Sequence, residues 1–150
     1  MSLANGRSYL AIPGPSVIPD TVLRAMHRAS PNIYEGELHD LTESLIPDLK
    51  VVAMTNQNVA IYIGNGHAAW EAALANTLTE GDIVLVLATG RFCVGWGEMA
   101  VDLGITVQTI DYGDAAAIDL ARVADALRAD TKGKIKAILA VHVDTSTSVK

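Results

Sequence analysis

A glycine-rich turn, Gly64-Asn65-Gly66-His67-Ala68-Ala69, is the segment best suited to bind a ligand. Glycines let a backbone approach an anion closely, and the free N–H groups at a helix start, helped by the helix dipole, bind phosphate. The letters also match the dinucleotide pattern G-x-G-x-x-A, which expects an acidic residue about 20 positions on, after the next strand. Here that place reads Ala88-Thr89-Gly90-Arg91 and holds no acid. The turn therefore predicts phosphate binding of some kind, with a nicotinamide cofactor as the weaker alternative.

Two further segments could contact a ligand. Thr89-Gly90-Arg91-Phe92 contains the only Phe of the chain, which could stack on a planar aromatic ligand or simply pack in the core above the following helix. His142-Val143-Asp144-Thr145-Ser146-Thr147-Ser148 groups hydroxyls with a carboxylate. One of these could be a helix N-cap, because Ser, Thr and Asp are the preferred caps. Five polar residues exceed what a cap requires, so the pattern favours a site.

No metal site is predicted. The four His residues show no metal-ligand spacing, and the single cysteine, Cys93, is expected to be a buried helix residue without a neighbouring base. Trp70 and Trp96 fall on predicted helices, where packing is the simpler role.

From residue 58 onward, strand and helix patterns alternate. This alternation predicts an α/β fold with a mostly parallel central sheet flanked by helices. In such sheets ligands bind beyond the carboxyl ends of the strands, where the three segments above fall. Strands are predicted at Val59–Ile63, Ile83–Ala88, Ile105–Ile110 and Ile135–Val141, and helices at His67–Leu78, Phe92–Leu103 and Ile118–Arg128.

Residues 1–57 have a different character and are predicted to form an N-terminal arm with helices. Thr21–Arg28 and Glu37–Met54 have helical patterns, and the second carries a leucine stripe from Leu38 to Leu49. Pro47 is expected to kink or split that helix. Residues 58–150 are expected to begin a larger domain, because the sequence stops after a strand and its polar loop. We therefore expect an N-terminal portion of a longer protein.

Composition and charge argue against nucleic-acid-binding, membrane-spanning and intrinsically disordered classes of protein. A formal charge of −6 and a pI near 5.0 give no electrostatic footprint for nucleic acid or an anionic membrane. The most apolar run, Ile83–Ala88, is far shorter than the about 20 residues of a membrane span. With 50% hydrophobic and 19% charged residues, the chain is not intrinsically disordered. One cysteine cannot form an internal disulfide, which favours a reducing, cytoplasmic setting.

Taken in order, these segments resemble the class V pyridoxal-phosphate aminotransferases, most closely the alanine–glyoxylate and serine–glyoxylate group. The resemblance covers nearly the whole chain and rests on five segments in register. They are Pro13-Gly14-Pro15-Ser16, Gly64–Leu74, Glu80-Gly81-Asp82, Thr89-Gly90-Arg91-Phe92 and His142–Ser148. It implies the pyridoxal-phosphate transferase fold type I, pyridoxal 5′-phosphate as cofactor and a homodimer. It also implies transfer of an amino group from alanine or serine to glyoxylate or another 2-oxo acid by a ping-pong mechanism.

The resemblance also assigns roles to residues. It places Gly66, His67 and Ala68 on the turn whose amides hold the cofactor phosphate. Phe92 falls where an aromatic residue stacks on the pyridine ring, and Thr145 where a hydroxyl bonds near the ring oxygen. Substrate contact falls to Gly14, near the substrate carboxylate. Two departures stand out: His142-Val143-Asp144 is unusual, and Ser148 replaces a common Gly.

The family's Schiff-base Lys, ring-nitrogen Asp and carboxylate-binding Arg are expected after residue 150. Of the five lysines present, Lys132, Lys134 and Lys136 fall before or at the start of a strand, which is the wrong edge of the sheet. Three alternatives stay open. They are a nicotinamide-dependent Rossmann oxidoreductase using Gly64-x-Gly66-x-x-Ala69, another fold type I enzyme such as a phosphonate transaminase or a lyase, and a non-catalytic binding piece.

Overall fold

Two stretches of the chain fold as separate units, residues 1–62 and residues 63–150, in the computed structural model. The structure describes residues 10, 12, 14–113 and 116–150. Of the segment Pro13-Gly14-Pro15-Ser16, Pro13 lies outside the described residues.

The first unit contains two helices, α1 (Asp20–Met26) and α2 (Glu37–Val52). Both helices begin with acidic residues, which complement the positive end of the helix dipole. Neither helix has a buried residue. Pro47 was expected to kink or split the second helix; it does not split it, because α2 continues through it to Val52. A proline removes one backbone hydrogen bond, and the turns on either side hold this helix together.

The second unit is an α/β layer structure, which confirms the predicted fold class. Its elements alternate along the chain, and β1 lies between β2 and β3 in a three-stranded parallel sheet. Their bounds are α3 (Gly66–Thr77), β1 (Ile83–Ala88), α4 (Arg91–Asp102), β2 (Thr106–Asp111), α5 (Leu120–Ala129) and β3 (Ile135–Leu139).

The central strand β1 organises the core because both of its faces are covered. Alternate side chains of a strand point to opposite faces, so a strand covered on both sides must be apolar throughout. Val84 and Val86 pack in one cluster with Leu74 of α3 and Ala100 of α4. On the other face, Leu85 and Leu87 pack with Ile110 of β2. The continuous apolar run Ile83–Ala88 is thus the strand that the sequence predicts.

The predicted strand at Val59–Ile63 is wrong. Residues 58–65 are irregular, and no strand of the described residues pairs with them. Ile61, Tyr62 and Ile63 are 55%, 89% and 107% exposed. A run rich in β-branched residues becomes a strand only when a neighbour supplies backbone hydrogen bonds and a face to bury, and here it has neither.

Candidate functional site

Two helix starts border a cleft at the edge of the sheet where the strands end, called here the carboxyl edge. These are the first turn of α3 and the first turn of α4, which follows β1 directly. The cleft measures about 760 Å³, a size suited to a small-molecule ligand. It is lined by His67, Trp70, Arg91, Phe92, Val94, Gly95, Glu98 and Ser146.

The first turn of α3 has two free backbone donors. Asn65 caps the helix, since its side-chain oxygen accepts a hydrogen bond from the Ala68 N–H at 3.2 Å. In the described part of the chain, the N–H groups of Gly66 and His67 have no hydrogen-bond partner. Gly64 is packed closely, because a Cβ there would lie 2.8 Å from the Cβ of Ala68. This turn has the open amides and helix dipole that an anion needs.

The first turn of α4, in contrast, is already closed by a carboxylate. Asp144, in the loop after β3, accepts hydrogen bonds through Oδ2 from the N–H groups of Phe92 at 2.9 Å and Cys93 at 3.1 Å. The Arg91 N–H donates to Ser146 Oγ at 2.9 Å. The segment after β3 therefore supplies the N-cap of a helix more than 50 residues earlier in the chain.

The other oxygen of Asp144 holds its own loop. Oδ1 accepts from the backbone N–H of Ser146 at 3.0 Å and from its hydroxyl at 2.6 Å. Thr147 adds a bond from its hydroxyl to the Thr89 carbonyl at 3.0 Å. Gly90 lies against this loop, since a Cβ at that position would be 2.5 Å from Asp144 Cγ. We call the segment 144–147 with residues 89–93 the Asp144 clamp.

Burial and hydrogen bonding act in opposite directions on the acidity of Asp144. Its side chain is 0% exposed, and burial raises the pKa of a carboxyl group. The bonds from Ser146, Cys93 and Phe92 outweigh burial, so the pKa of Asp144 lies below its ordinary value. At the nearby Cys93 thiol burial is the stronger influence, and it raises the pKa of the thiol. Asp144 is thus a stable anion and Cys93 a protonated thiol, as its expected buried role requires.

Aromatic side chains form one wall of the cleft. The rings of His67, Trp70 and Phe92 form a triangle, with centroids 4.8 Å apart for His67 and Trp70, 6.2 Å for Trp70 and Phe92, and 6.1 Å for His67 and Phe92. Trp96 stacks on Trp70 with centroids 5.3 Å apart and planes 13° apart. Trp96 packs against the core cluster of the sheet, so the wall rests on the core.

The structure brings together some of the predicted site residues. His67 and Phe92 line the cleft, and Gly66 and Ala68 lie in the same helical turn as His67. Thr145 is exposed and adjoins the lining residue Ser146, although it does not line the cleft itself. Gly14 belongs to the first unit. The binding roles of all five cofactor residues and of Gly14 stay predictions.

Sequence reasoning missed two features of this site. Trp70 was assigned to packing, yet it also lines the cleft; its position three residues after His67 puts both on one helical face, which was the available signal. One polar residue of the segment 142–148 was allowed as a helix N-cap, but neither the residue nor the helix was identified; the structure shows that Asp144 caps α4. Ser148 has φ of +59°, which accounts for a preference for Gly at that position.

Several other chemistries find no counterpart in the described residues. No group of three or more His, Cys, Asp or Glu side chains there could hold a metal ion. No helix within the described ranges is long and apolar enough to cross a bilayer. The dinucleotide pattern at Gly64 lacks the strand that should precede it, because residues 58–65 are irregular. Lys132 and Lys134 precede β3, at the edge of the sheet opposite the cleft.

Comparison with solved structures identifies the class of fold. The structure matches ureidoglycine–glyoxylate aminotransferase from Bacillus subtilis with a TM-score of 0.73 and 26% identity, over 91% of this chain and 35% of that one. It matches alanine–glyoxylate aminotransferase from Nostoc sp. with a TM-score of 0.63 and 30% identity, over 79% and 32%. The chain therefore has the fold of the pyridoxal-phosphate-dependent aminotransferases, as predicted.

Sequence comparison narrows this class. The chain is 39% identical over 147 residues to serine–glyoxylate aminotransferase from Methylorubrum extorquens, covering 96% of this chain and 36% of the relative. It is 36% identical over 142 residues to the enzyme of the same name from Hyphomicrobium methylovorum, covering 94% and 35%. No family model matches. The chain is thus a homologue of the serine–glyoxylate and alanine–glyoxylate aminotransferases, and it spans about a third of their length.

Substituting Gly90 by Ala tests the close packing of the clamp. The new Cβ would overlap Asp144 Cγ, which is buried and held by four hydrogen bonds, so the clamp must shift. We expect Gly90→Ala to lower the free energy of unfolding by about 1–3 kcal/mol in urea denaturation. Gly95→Ala is the matched control on α4, where a Cβ meets nothing within 4 Å. It should instead raise stability by about 0.5–1 kcal/mol. Equal effects of the two changes would refute the steric account.

The acidity of Asp144 predicts how stability depends on pH. Because its pKa is lower in the folded state than the ordinary 3.8, its contribution is complete above pH 4 and is lost as pH falls toward the folded value. Asp144→Asn removes this dependence. The stability difference between the two proteins should be largest near pH 7, at about 1.5–3 kcal/mol, and shrink below pH 4. A difference that stays constant from pH 7 to pH 3 would show that the charge of Asp144 is irrelevant.

Proposed function

We propose that the protein is a pyridoxal-phosphate-dependent aminotransferase that moves an amino group from alanine or serine to glyoxylate or another 2-oxo acid in a ping-pong cycle. One observation carries this proposal: an open helix start with free amides and an aromatic ring border the same cleft. The relatives that act on serine, alanine or aspartate with glyoxylate support it by homology. The same observations favour a transaminase over a nicotinamide enzyme, whose fingerprint is incomplete here.

The residues present fit the proposed cofactor. Its phosphate is a dianion, and the free N–H groups of Gly66 and His67 at the positive end of α3 suit it. The Ala68 N–H is bound to Asn65, so we assign Ala68 the weakest of the three predicted phosphate contacts. Phe92 lines the cleft and offers a ring to stack on the pyridine, and we assign the bond to the ring oxygen to the exposed Thr145, which adjoins the lining residue Ser146.

The division of work within the site follows from these assignments. The bound cofactor would supply an aldehyde that takes up the amino group and a ring that accepts electron density. The second unit of this chain would bind the phosphate and fix the plane of the ring, and the resemblance assigns Gly14 of the first unit to the substrate carboxylate. The lysine that holds the cofactor covalently, the ring-nitrogen acid and the carboxylate-binding arginine are proposed to lie beyond residue 150.

The proposal includes a homodimer in the cytoplasm. Leu41 and Leu45 of the leucine stripe on α2 are 56% and 42% exposed, and burying such a face against a second copy would be favourable. The lone cysteine agrees with a reducing compartment. Sedimentation velocity of the full-length protein measures directly whether it is a dimer.

An absorbance spectrum of the full-length protein with added pyridoxal phosphate tests the function. We expect a yellow protein whose visible band shifts on addition of alanine or serine and becomes fixed to the chain by borohydride. A protein that stays colourless after addition of the cofactor would contradict the proposal. A band that shifts with 2-aminoethylphosphonate but with neither amino acid would favour the phosphonate transaminase, which is also among the relatives.

Substituting Gly66 by Pro tests whether the backbone N–H of residue 66 binds the cofactor phosphate. Proline is tolerated as the first residue of a helix, and the preceding Asn65 already has the extended backbone that a following proline requires, with φ of −109° and ψ of −172°. The change removes one free N–H donor and leaves the helix intact. Affinity for pyridoxal phosphate should fall about tenfold or more, as expected for a lost bond to a charged group.

Gly66→Ala is the matched control, because it keeps the N–H and its Cβ meets nothing within 4 Å. It should bind the cofactor within about twofold of the parent protein, since no donor is lost. If Gly66→Pro and Gly66→Ala bind equally well, the amide of residue 66 does not hold the phosphate.

A further inference from the structure

Asp144 connects the two segments that carry the predicted contacts to the cofactor ring. Oδ2 accepts from the N–H of Phe92, the predicted stacking residue, at 2.9 Å. Oδ1 accepts from the N–H and the hydroxyl of Ser146, the neighbour of Thr145, at 3.0 and 2.6 Å. The side chain is fully buried, so solvent does not compete for these bonds.

We propose that Asp144 is a positioning residue for the cofactor ring, which fixes the stacking residue Phe92 and the hydroxyl residue Thr145 relative to each other. This inference rests on the proposed function. It assigns Asp144 no contact with the cofactor, and its effect passes entirely through the backbone of the residues that it holds.

A carboxylate suits this task better than a neutral cap does. An ionised carboxylate has two oxygens that only accept hydrogen bonds, so one oxygen can serve α4 while the other serves the loop. A Ser or Thr cap in the same place would have a single oxygen for both. The negative charge also lies at the positive end of α4, which strengthens the bonds to Phe92 and Cys93.

The same charge decides which helix start can receive the phosphate. Both α3 and α4 begin at the cleft, and an uncapped helix start attracts anions. At α4 the N–H groups of residues 91, 92 and 93 are already bound to Ser146 and Asp144, and the carboxylate repels a second anion. At α3 the N–H groups of Gly66 and His67 have no hydrogen-bond partner among the residues that the structure describes. Asp144 therefore directs the phosphate to α3 and leaves the uncharged ring to Phe92.

The clamp is stiff enough to transmit this effect. The Thr147 hydroxyl binds the Thr89 carbonyl at 3.0 Å, which ties the loop to the turn on the other side of Gly90. Gly90 leaves no spare volume beside Asp144. Loss of the Asp144 carboxylate would therefore release the first turn of α4 and the segment 144–147 together.

The test compares full-length proteins carrying Asp144→Ala with the parent, at a temperature where both are folded. Without cofactor, amide hydrogen exchange at Phe92 and Cys93 should become about tenfold faster or more, as expected for lost bonds to a charged group. Affinity for pyridoxal phosphate should fall about tenfold, by the same reasoning. The visible circular dichroism per bound cofactor should also fall, because it reports how the ring is held. Affinity for inorganic phosphate at α3 should stay within about twofold, because the amides of α3 are untouched, while the freed N–H groups of Phe92 and Cys93 at α4 should add a second phosphate site.

Asp119→Ala is the matched control. Asp119 also caps a helix, since its side chain accepts from the Ala121 N–H at 2.8 Å, but it serves α5. Val123 of α5 packs on the face of the sheet that carries Leu85 and Leu87, away from the cluster under Trp96. The control should lose about 1 kcal/mol of stability, as capping residues do, and should keep both the cofactor affinity and the circular dichroism.

Ser146→Ala provides a second variant in case Asp144→Ala fails to fold. It removes the hydroxyl that donates to Asp144 and accepts from Arg91, while the carboxylate and its bonds to α4 remain. We expect cofactor affinity and circular dichroism to fall as they do in Asp144→Ala, but by smaller amounts.

The outcomes separate the two proposals. A parent protein that binds neither pyridoxal phosphate nor inorganic phosphate refutes the proposed function itself. A parent that binds the cofactor, with Asp144 and Ser146 variants of unchanged affinity and circular dichroism, refutes only the positioning role. Equal losses for inorganic phosphate and for the cofactor in Asp144→Ala would also refute it, because they indicate general loss of structure.

Discussion

A buried carboxylate at the start of a helix is the interaction on which the geometry of this site depends. The turn between β1 and α4 exposes backbone N–H groups that need acceptors, and its own sequence, Thr89-Gly90-Arg91-Phe92, places no carboxylate among them. The loop after β3 supplies Asp144 and Ser146 instead. This is possible because β1 and β3 are neighbours in the sheet and parallel, so their carboxyl ends meet at the same edge. Sheet topology thus brings the acceptor to the donors.

The two helix starts at the cleft differ in one physical respect. Both have the positive end of a helix dipole and both follow glycine-containing turns. At α3 the cap comes from Asn65, a neutral residue within the same turn, which satisfies the Ala68 N–H and leaves two N–H groups free. At α4 the cap is an anion from another part of the chain. The first arrangement leaves donors open to an anion and the second has its donors bound to one already, although both motifs look similar in the sequence.

The limits of sequence reasoning follow from which contacts are local. β1 was predictable because burial on both faces requires an unbroken apolar run, and Ile83–Ala88 is one. The open helix start at Gly66 was predictable because glycines and a helix pattern are adjacent in the chain. Val59–Ile63 misled because strand formation depends on a partner that a local pattern does not contain. A cap among the polar residues 142–148 was only the less favoured alternative, because the donors to Asp144 are 51 and 52 residues away and only the paired strands show which helix it serves.

Helix α3 has a second role in the site, because its residue Trp70 contacts the ring of Phe92. Asp144 holds the backbone of Phe92, but a ring also turns about its side-chain bonds, and the clamp does not fix those. The Phe92 and Trp70 rings meet edge to face with their planes 71° apart, and Trp70 in turn is stacked on Trp96. Trp70 belongs to α3, the helix whose first turn offers the phosphate amides. In the proposed site, α3 would therefore orient both the phosphate, through its first turn, and the Phe92 ring, through Trp70, while the Asp144 clamp holds the backbone of Phe92 to the loop that contains Thr145.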